Sequence, residues 1–247
     1  MIDIKDDETL EDLGLKGLCI IQKKHGFRFG VDAVLLADFA KVRKKDTVID
    51  FCTGTGIIPL LLYGKKEPQR ITGVEIQKEF IDMAHKSVVY NGLEDKITMV
   101  LGDLRNTQEN KNRPKVDVVT VNPPYKKENS GIHNEENALT IARHEVTLNL
   151  EDVIKAAAHS LKDHGRFYMI HRPERLADIM ILMRAYHIEP KELRMVYPNS
   201  KKPPTMILIE GRKGGNAFLK VLEPLYIYDL DGTYSDEIRR IYGDERR

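Results

Sequence analysis

The fold of this chain follows from one short run, Thr47-Val48-Ile49-Asp50-Phe51-Cys52-Thr53-Gly54-Thr55-Gly56. An apolar strand enters a glycine-rich turn, and the turn opens a helix. In an open α/β sheet, ligands bind beyond the carboxyl ends of the strands, where glycines let the backbone approach a ligand closely. A tight strand-to-helix turn with no ligand would show the same glycines, so further residues are needed to predict a binding site.

The rest of the chain alternates short β-branched runs with longer amphipathic segments, which is typical of strands and crossover helices in a mostly parallel sheet. The predicted strands are 47–51, 71–75, 97–101, 116–121, 166–170, 193–197 and 206–211. The predicted helices are 32–40, 56–63, 79–91, 150–161 and 173–187. The proline-rich segment 198–204 reads as a hairpin link, so we expect the last strand to be antiparallel to its neighbour.

Two helix boundaries and one loop carry clear local signals. Pro173 stands near a helix start, and Asn91-Gly92 follows the last periodic residue of another helix. The polar segment 126–137 lacks apolar periodicity and follows the fourth strand. We expect it to be either a solvated connection or a substrate lid.

Composition indicates an ordinary globular protein. Of the 247 residues, 41% are hydrophobic and 31% charged, which predicts one domain over 1–247: an N-terminal extension with the first helix (1–45), a core (46–213) and a C-terminal extension (214–247). Two cysteines, an acidic N-terminus and the lack of a long apolar run predict a cytoplasmic protein without disulfides, a metal site or a membrane span. The net charge of +1 neither demands nor excludes an RNA partner, and nothing predicts the oligomeric state.

Polar residues follow three further predicted strands. Glu75 ends the second strand, Gly102-Asp103 follows the third, and Asn122-Pro123-Pro124-Tyr125 follows the fourth. Each acid alone could be a surface residue. Because parallel strands end at one edge of a sheet, their coincidence predicts a single site that includes Asp50.

These motifs together resemble those of class I S-adenosylmethionine-dependent methyltransferases, and within that class the amino methyltransferases with an Asn-Pro-Pro-Tyr tetrapeptide. The resemblance implies a Rossmann-like seven-stranded sheet, mostly parallel with an antiparallel last strand and helices on both faces. It also implies that Glu75 binds the cofactor ribose and that Asp103 contacts the adenine amino group. Cys52 departs from the family pattern, which has glycine there.

The tetrapeptide also has a chemical logic of its own. An exocyclic amine on a heteroaromatic ring is a poor nucleophile because its lone pair is delocalised into the ring. The side-chain oxygen of Asn122 and the carbonyl of Pro123 can each accept one N–H bond and so direct the lone pair at a methyl donor. Pro124 stiffens the backbone, and Tyr125 can stack on a planar substrate. We therefore predict Asn122 to Tyr125 as the catalytic residues.

A second resemblance is to bacterial tRNA(Val) adenine-N6 methyltransferases, which modify the adenine 3′ of the anticodon. It rests on the segments 25–36, 143–145, 172–176 and 224–228. It suggests Arg28 and Asp32 as cofactor contacts, although Asp32 could equally be a helix N-cap. The cofactor-binding residues predicted in all are Arg28, Asp32, Asp50, Cys52, Gly54, Gly56, Glu75, Ile76, Asp103, Leu104 and Asn122.

We therefore expect N6 methylation of adenine 37 of tRNA1(Val), with S-adenosylmethionine as cofactor and tRNA as partner. The alternatives are a glutamine N5-methyltransferase of release factors, an rRNA or DNA amino-methyltransferase, and a non-catalytic cofactor- or RNA-binding module. Basic pairs at 126–127, 201–202 and 212–213 would form a phosphate track for RNA if they shared one face.

Overall fold

The structure is a computed structural model that describes residues 2–25, 28–124 and 148–243. Its strands are β1 Glu8–Asp12, β2 Cys19–Lys23, β3 Thr47–Phe51, β4 Arg70–Glu75, β5 Ile97–Leu101, β6 Val116–Val121, β7 Leu161–His171, β8 Ile188–Tyr197, β9 Met206–Lys213, β10 Lys220–Val221 and β11 Leu225–Tyr226. Its helices are α1 Val31–Phe39, α2 Ile57–Lys66, α3 Lys78–Tyr90, α4 Thr107–Asn112, α5 Leu150–Ser160, α6 Leu176–Ala185 and α7 Asp236–Tyr242, with a 3-10 turn at Pro173–Arg175.

One large sheet dominates the described residues, in the order β10-β8-β9-β7-β6-β3-β4-β5, with β11 paired to β8. Strands β3 to β7 pair in parallel, whereas β9 runs antiparallel to both β7 and β8. All seven predicted strands are present, and the antiparallel last strand of the seven is confirmed. The sequence did not predict the two-residue strands β10 and β11 or the antiparallel hairpin of β1 and β2.

Side chains from neighbouring positions in the central strands enter two separate cores. Val48 packs into the cluster that holds α1 and α2, whereas Ile49 packs into the cluster that holds α5 and α6. This alternation is the period of two that a strand buried on both faces requires. Helices therefore cover both faces of the sheet, as expected.

The helix boundaries agree with most of the local signals. Helix α3 ends at Tyr90 with Asn91 as its C-cap, and Gly92 has φ +63°, the left-handed conformation expected of a C-terminal glycine. The N-cap interpretation of Asp32 is wrong, because Gly30 caps α1 and Asp32 lies inside the first turn. Among the described residues, no helix combines the length and apolar character that crossing a bilayer requires.

The functional residues are gathered where the parallel strands end. The register pairs Phe51 of β3 with Val74 of β4 and with Val121 of β6, and Glu75 with Leu101 of β5. The residues that follow these four strands therefore share one edge, which we call the carboxyl edge.

Candidate functional site

The turn after β3 requires left-handed backbone at three positions. Cys52, Gly54 and Gly56 have φ of +55°, +56° and +85°. A side chain at such a φ costs about 1–2 kcal/mol, which explains in physical terms why glycine is expected where this chain has Cys52. Burial, with the charges of Glu75 and Asp50, raises the pKa of the Cys52 thiol well above its usual value. The thiol is therefore protonated and is not a nucleophile.

Asp50, the fourth residue of β3, is completely buried. Its Oδ1 accepts a hydrogen bond from Thr120 Oγ1 at 2.6 Å, whereas Oδ2 has no partner of good geometry within the described part of the chain. Burial raises the pKa of Asp50 to about 7, and the nearby charge of Glu75 adds to the rise. A buried carboxyl with a spare oxygen is suited to a cationic ligand, which would favour its charged form.

Glu75 is held rigidly at the end of β4 and is only 6% exposed. Its Oε1 accepts from the backbone N–H groups of Ile76 and Gln77, each at 3.0 Å, and its Oε2 accepts from Gly54 N at 3.0 Å. A carboxylate has about four acceptor sites, so roughly one remains on Oε2. In this arrangement Glu75 can accept one further hydroxyl, and it joins the end of β4 to the turn after β3.

Asp103 lies at the same edge, after β5, and its carboxylate is already engaged by Arg105. Arg105 Nε donates to Oδ1 at 2.9 Å and to Oδ2 at 3.0 Å. These bonds hold the pKa of Asp103 below its usual value. Two further residues predicted to bind the cofactor lie nearby: Leu104 is buried, and Ile76 beside Glu75 is 41% exposed. The acid predicted to meet an adenine amino group is therefore fixed in orientation by a neighbouring cation.

Asn122, immediately after β6, is held by a hydrogen bond from its side-chain amide to α1. Its Nδ2 donates to Asp32 Oδ2 of α1 at 3.1 Å. A carboxylate can only accept, so this bond fixes which way the amide faces. Its Oδ1 is buried and has no hydrogen-bond partner among the residues that the structure describes. Since a buried acceptor without a partner is costly, this atom marks a position prepared for an external donor.

The other predicted residues are placed less centrally. Pro123 is buried and Pro124 is half-buried, whereas Tyr125 lies outside the described residues. Arg28 is exposed and pairs with Glu11 of β1. The predictions for 126–137 and 143–145 also fall outside the described residues.

The basic pairs predicted as a phosphate track do not share one face. Lys201 and Lys202 lie in the hairpin between β8 and β9, at the carboxyl edge. Arg212 pairs in register with Arg166 near the opposite edge, and Lys213 Nζ donates to the carbonyl of Ala158 at 2.6 Å. The pair 126–127 lies outside the described residues.

Sequence reasoning missed the contact between Asp32 and Asn122, which lie 90 positions apart. It assigned Asp32 to cofactor binding or to a helix cap, and nothing in the spacing linked it to the tetrapeptide. It also missed Thr120, whose hydroxyl holds Asp50 from inside β6. In both cases the partners meet only through strand pairing and helix packing.

Comparison with known proteins gives consistent matches. The family model of the methyltransferase small domain matches residues 30–183. A tRNA1(Val) (adenine(37)-N6)-methyltransferase of Porphyromonas gingivalis is 30% identical over 87% of this chain and 86% of its own length. The protein with the same name from Bacteroides thetaiotaomicron is 27% identical over 78% of this chain and 80% of its own.

Solved structures show the same fold at lower identity. A predicted O-methyltransferase of Agrobacterium tumefaciens has a TM-score of 0.70 at 19% identity, covering 86% of this chain and 95% of that one. Trm5 of Methanocaldococcus jannaschii, in complex with adenosine, has a TM-score of 0.59 at 17% identity and covers 86% of this chain and 57% of that one. The sheet with one antiparallel strand described above is therefore a methyltransferase fold.

Proposed function

Since this chain belongs to the methyltransferase small domain family, we propose that it transfers the methyl group of S-adenosylmethionine to the N6 amine of adenine 37 in tRNA1(Val). The observation that carries the proposal is the fixed amide of Asn122, with its donor half held by Asp32 and its buried acceptor half left for an incoming N–H. The names of the relatives from Porphyromonas gingivalis and Bacteroides thetaiotaomicron support the choice of acceptor.

Polar groups at the carboxyl edge support the choice of cofactor. When bound, S-adenosylmethionine supplies an electrophilic methyl group on a sulfonium. The spare oxygen of Asp50 suits the cationic part of such a ligand, and the free acceptor site on Glu75 Oε2 suits a ribose hydroxyl. Gly54 and Gly56 let the backbone approach the ligand. We assign these four residues to cofactor binding, with Asp103 beside the adenine.

Asn122 and Pro123 would prepare the acceptor amine. Asn122 Oδ1 accepts one N–H of the amine, and the carbonyl of Pro123 accepts the other. Two fixed acceptors hold the amine with its lone pair directed out of the ring plane, which makes the nitrogen nucleophilic. The same acceptors stabilise the positive charge that develops on nitrogen in the transition state.

In this proposal Asp32 is a positioning residue and not a direct cofactor contact. Without the carboxylate, the Asn122 amide could rotate and present Nδ2 to the substrate, and a donor there would repel the amine hydrogens. The charge of Asp32 also polarises the amide, because a hydrogen bond to Nδ2 increases the negative charge on Oδ1. Asp32 thus determines both the direction and the strength of the acceptor.

The acceptor can be identified by direct assay. Purified protein with methyl-labelled S-adenosylmethionine is incubated separately with unmodified total tRNA, duplex DNA and a release factor, and the labelled product is hydrolysed and analysed by mass spectrometry. We expect N6-methyladenosine in tRNA alone. Label in the release factor or in DNA, and none in tRNA, would refute the proposal in favour of one of the alternative acceptors.

The role of Asn122 has its own test. We expect Asn122→Ala to lower kcat by roughly 100- to 1,000-fold, the range seen when one preorganised transition-state contact is removed, with little change in cofactor affinity. Asn216→Ala, an exposed asparagine beyond β9, is the matched control and should behave as wild type. Normal turnover in Asn122→Ala would contradict the assignment.

A further inference from the structure

Five tyrosines form two neighbouring groups of contacting rings at the carboxyl edge, which we together call the tyrosine surface: Tyr197 and Tyr226, and Tyr228, Tyr234 and Tyr242. The rings of Tyr228 and Tyr234 stack with centroids 5.2 Å apart and planes 10° apart, and those of Tyr234 and Tyr242 stack at 5.8 Å and 17°. Tyr197 and Tyr226 form a tilted pair at 5.5 Å. The three stacked rings keep 40–43% of their surface exposed, an unusual amount of aromatic surface to leave in water.

The tyrosine surface is connected to Asn122 through α1. Helix α7, which ends in Tyr242, packs against α1, and Lys65 Nζ ties the two by bonding Ile241 O at 2.6 Å and Asp38 at 3.1 Å. The charge of Asp32 contributes, after burial and the neighbouring tyrosines, to raising the pKa of Tyr242 to about 12. Tyr242 and Asp32 therefore lie on two helices that pack against each other.

The other end of the tyrosine surface leads to the hairpin that carries Lys201 and Lys202. Tyr228 N donates to Pro198 O at 2.8 Å, which places this ring at the start of the β8–β9 hairpin. Lys201 and Lys202 in that hairpin are exposed, and no described carboxylate forms an ion pair with either side chain. Two exposed cations in the hairpin next to these aromatic rings suit the phosphates and bases of a single strand.

Nearby acids are engaged within their own segment. Asp231 accepts from the N–H and the hydroxyl of Thr233 at 2.9 and 2.7 Å, and Asp236 pairs with Arg239 at 2.7 Å. Asp229 lies 3.9 Å from the same arginine. Their charge is thus partly compensated.

We propose that the tyrosine surface binds unstacked bases of a single-stranded RNA segment that flanks the target adenine, with Lys201 and Lys202 contacting its phosphates. This inference rests on the proposed function and names the surface that would hold the substrate. Tyr234 stacks with both Tyr228 and Tyr242, and all three rings keep exposed surface on which a base could stack. Stacking on tyrosine accepts any base, so the tyrosine surface supplies affinity and alignment, whereas the site at Asn122 selects the amine.

The test measures affinity for an RNA stem-loop whose single-stranded loop contains the acceptor adenine, by fluorescence anisotropy. Tyr228→Leu and Tyr242→Leu remove the ring and keep an apolar side chain. Each should raise the Kd for RNA by about 10-fold. Tyr228→Phe keeps the ring and should stay within about twofold of wild type. The control Tyr90→Leu removes a tyrosine that is 46% exposed at the far end of α3, and it should bind RNA normally. Cofactor affinity should be unchanged in all four.

A second measurement does not depend on the tyrosine variants folding. In the double variant Lys201→Gln and Lys202→Gln, the slope of log Kd against log salt should fall by about 1.4, since each phosphate contact of a single strand contributes about 0.7. Lys45→Gln, an exposed lysine at the amino end of β3, is the control and should leave the slope unchanged.

The outcomes separate this inference from the proposed function. If wild type methylates the stem-loop but the leucine variants bind it as tightly as the phenylalanine variant, the tyrosine surface has no role in RNA binding and this inference alone is refuted. If wild type neither binds nor methylates any RNA, both fail. Loss of binding to a protein substrate in the leucine variants, with RNA affinity intact, would make the tyrosine surface a protein-docking site and overturn the assignment.

Discussion

Removal of the Asp32 carboxylate is the sharpest perturbation of the proposed mechanism. In Asp32→Ala the Nδ2 group of Asn122 loses the acceptor that it meets at 3.1 Å. A hydrogen bond to a charged group is worth about 1.5–3 kcal/mol, and this free energy holds the amide in its productive orientation. Since about 1.4 kcal/mol corresponds to a factor of ten in rate, we expect kcat to fall by roughly 10- to 150-fold.

The assay compares four proteins in a double-mutant cycle: wild type, Asp32→Ala, Asn122→Ala and the double variant. Turnover is measured with saturating labelled S-adenosylmethionine and the stem-loop RNA, and cofactor Kd is measured separately by calorimetry. If Asp32 acts through Asn122, the alanine at position 32 should cost less than about twofold once Asn122 is absent. The Kd for the cofactor and the thermal midpoint should change little.

Two results would refute this reasoning. Additive losses in the double variant would show that Asp32 acts independently of Asn122. A loss of cofactor affinity with unchanged kcat would make Asp32 a cofactor ligand, the role first predicted for it from the sequence. Asp32→Asn gives an internal check, because its amide oxygen can still accept from Asn122 Nδ2 but without the negative charge, so kcat should fall less than in Asp32→Ala.

Three further perturbations test the cofactor side of the site. The pKa of Asp50 is raised to about 7, and a cationic ligand favours the charged carboxylate, so cofactor affinity should rise with pH between about 6 and 8. Calorimetry in two buffers should detect the release of a proton on binding. Asp50→Asn should abolish this pH dependence, and a flat wild-type profile would contradict the prediction. Glu75→Gln should weaken cofactor binding by roughly 10-fold, because a charged hydrogen-bond acceptor is lost. Unchanged cofactor affinity would exclude ribose binding by Glu75. Gly56→Ala places a Cβ 2.8 Å from Met99 Cε at a φ of +85°. Scanning fluorimetry should therefore show a thermal midpoint lower by several degrees. An unchanged midpoint would show that the turn can relax.

The sheet was predictable because its central strands are buried on both faces. The runs 47–51 and 116–121 are short and rich in β-branched residues, and each holds one aspartate among apolar residues without strict alternation, as expected of strands buried on both faces. The hairpin of β1 and β2 was missed because β1, Glu8–Asp12, carries three acids in five residues and shows no strand pattern of its own. Its partner β2, Cys19–Lys23, places Ile20 and Ile21 in the interior and holds it in place.

The site was predictable only as far as residues stand directly after strands. Glu75, Asp103 and Asn122 were found at strand ends, and the structure brings them to one edge because the strands are parallel. The departure at Cys52 was visible in the sequence, but its cause, a φ of +55°, was not. The role of Asp32 could not be inferred, because it depends on α1 lying against the end of β6.

Helix α1 is where the two parts of the proposed reaction meet. An amide offers a donor and an acceptor, so whichever residue satisfies the donor of Asn122 determines whether the acceptor is available to substrate. That residue, Asp32, lies in the segment predicted as an extension ahead of the core, and the charge of the same carboxylate reaches Tyr242 at the end of α7. Helix α7 packs against α1, and its Glu237 also pairs with Arg194 of β8 at 2.7 Å, so a shift of α7 when RNA binds the tyrosine surface would act on both α1 and the sheet. The carboxyl edge supplies the amide of Asn122, and α1, ahead of β3, supplies the carboxylate that orients it.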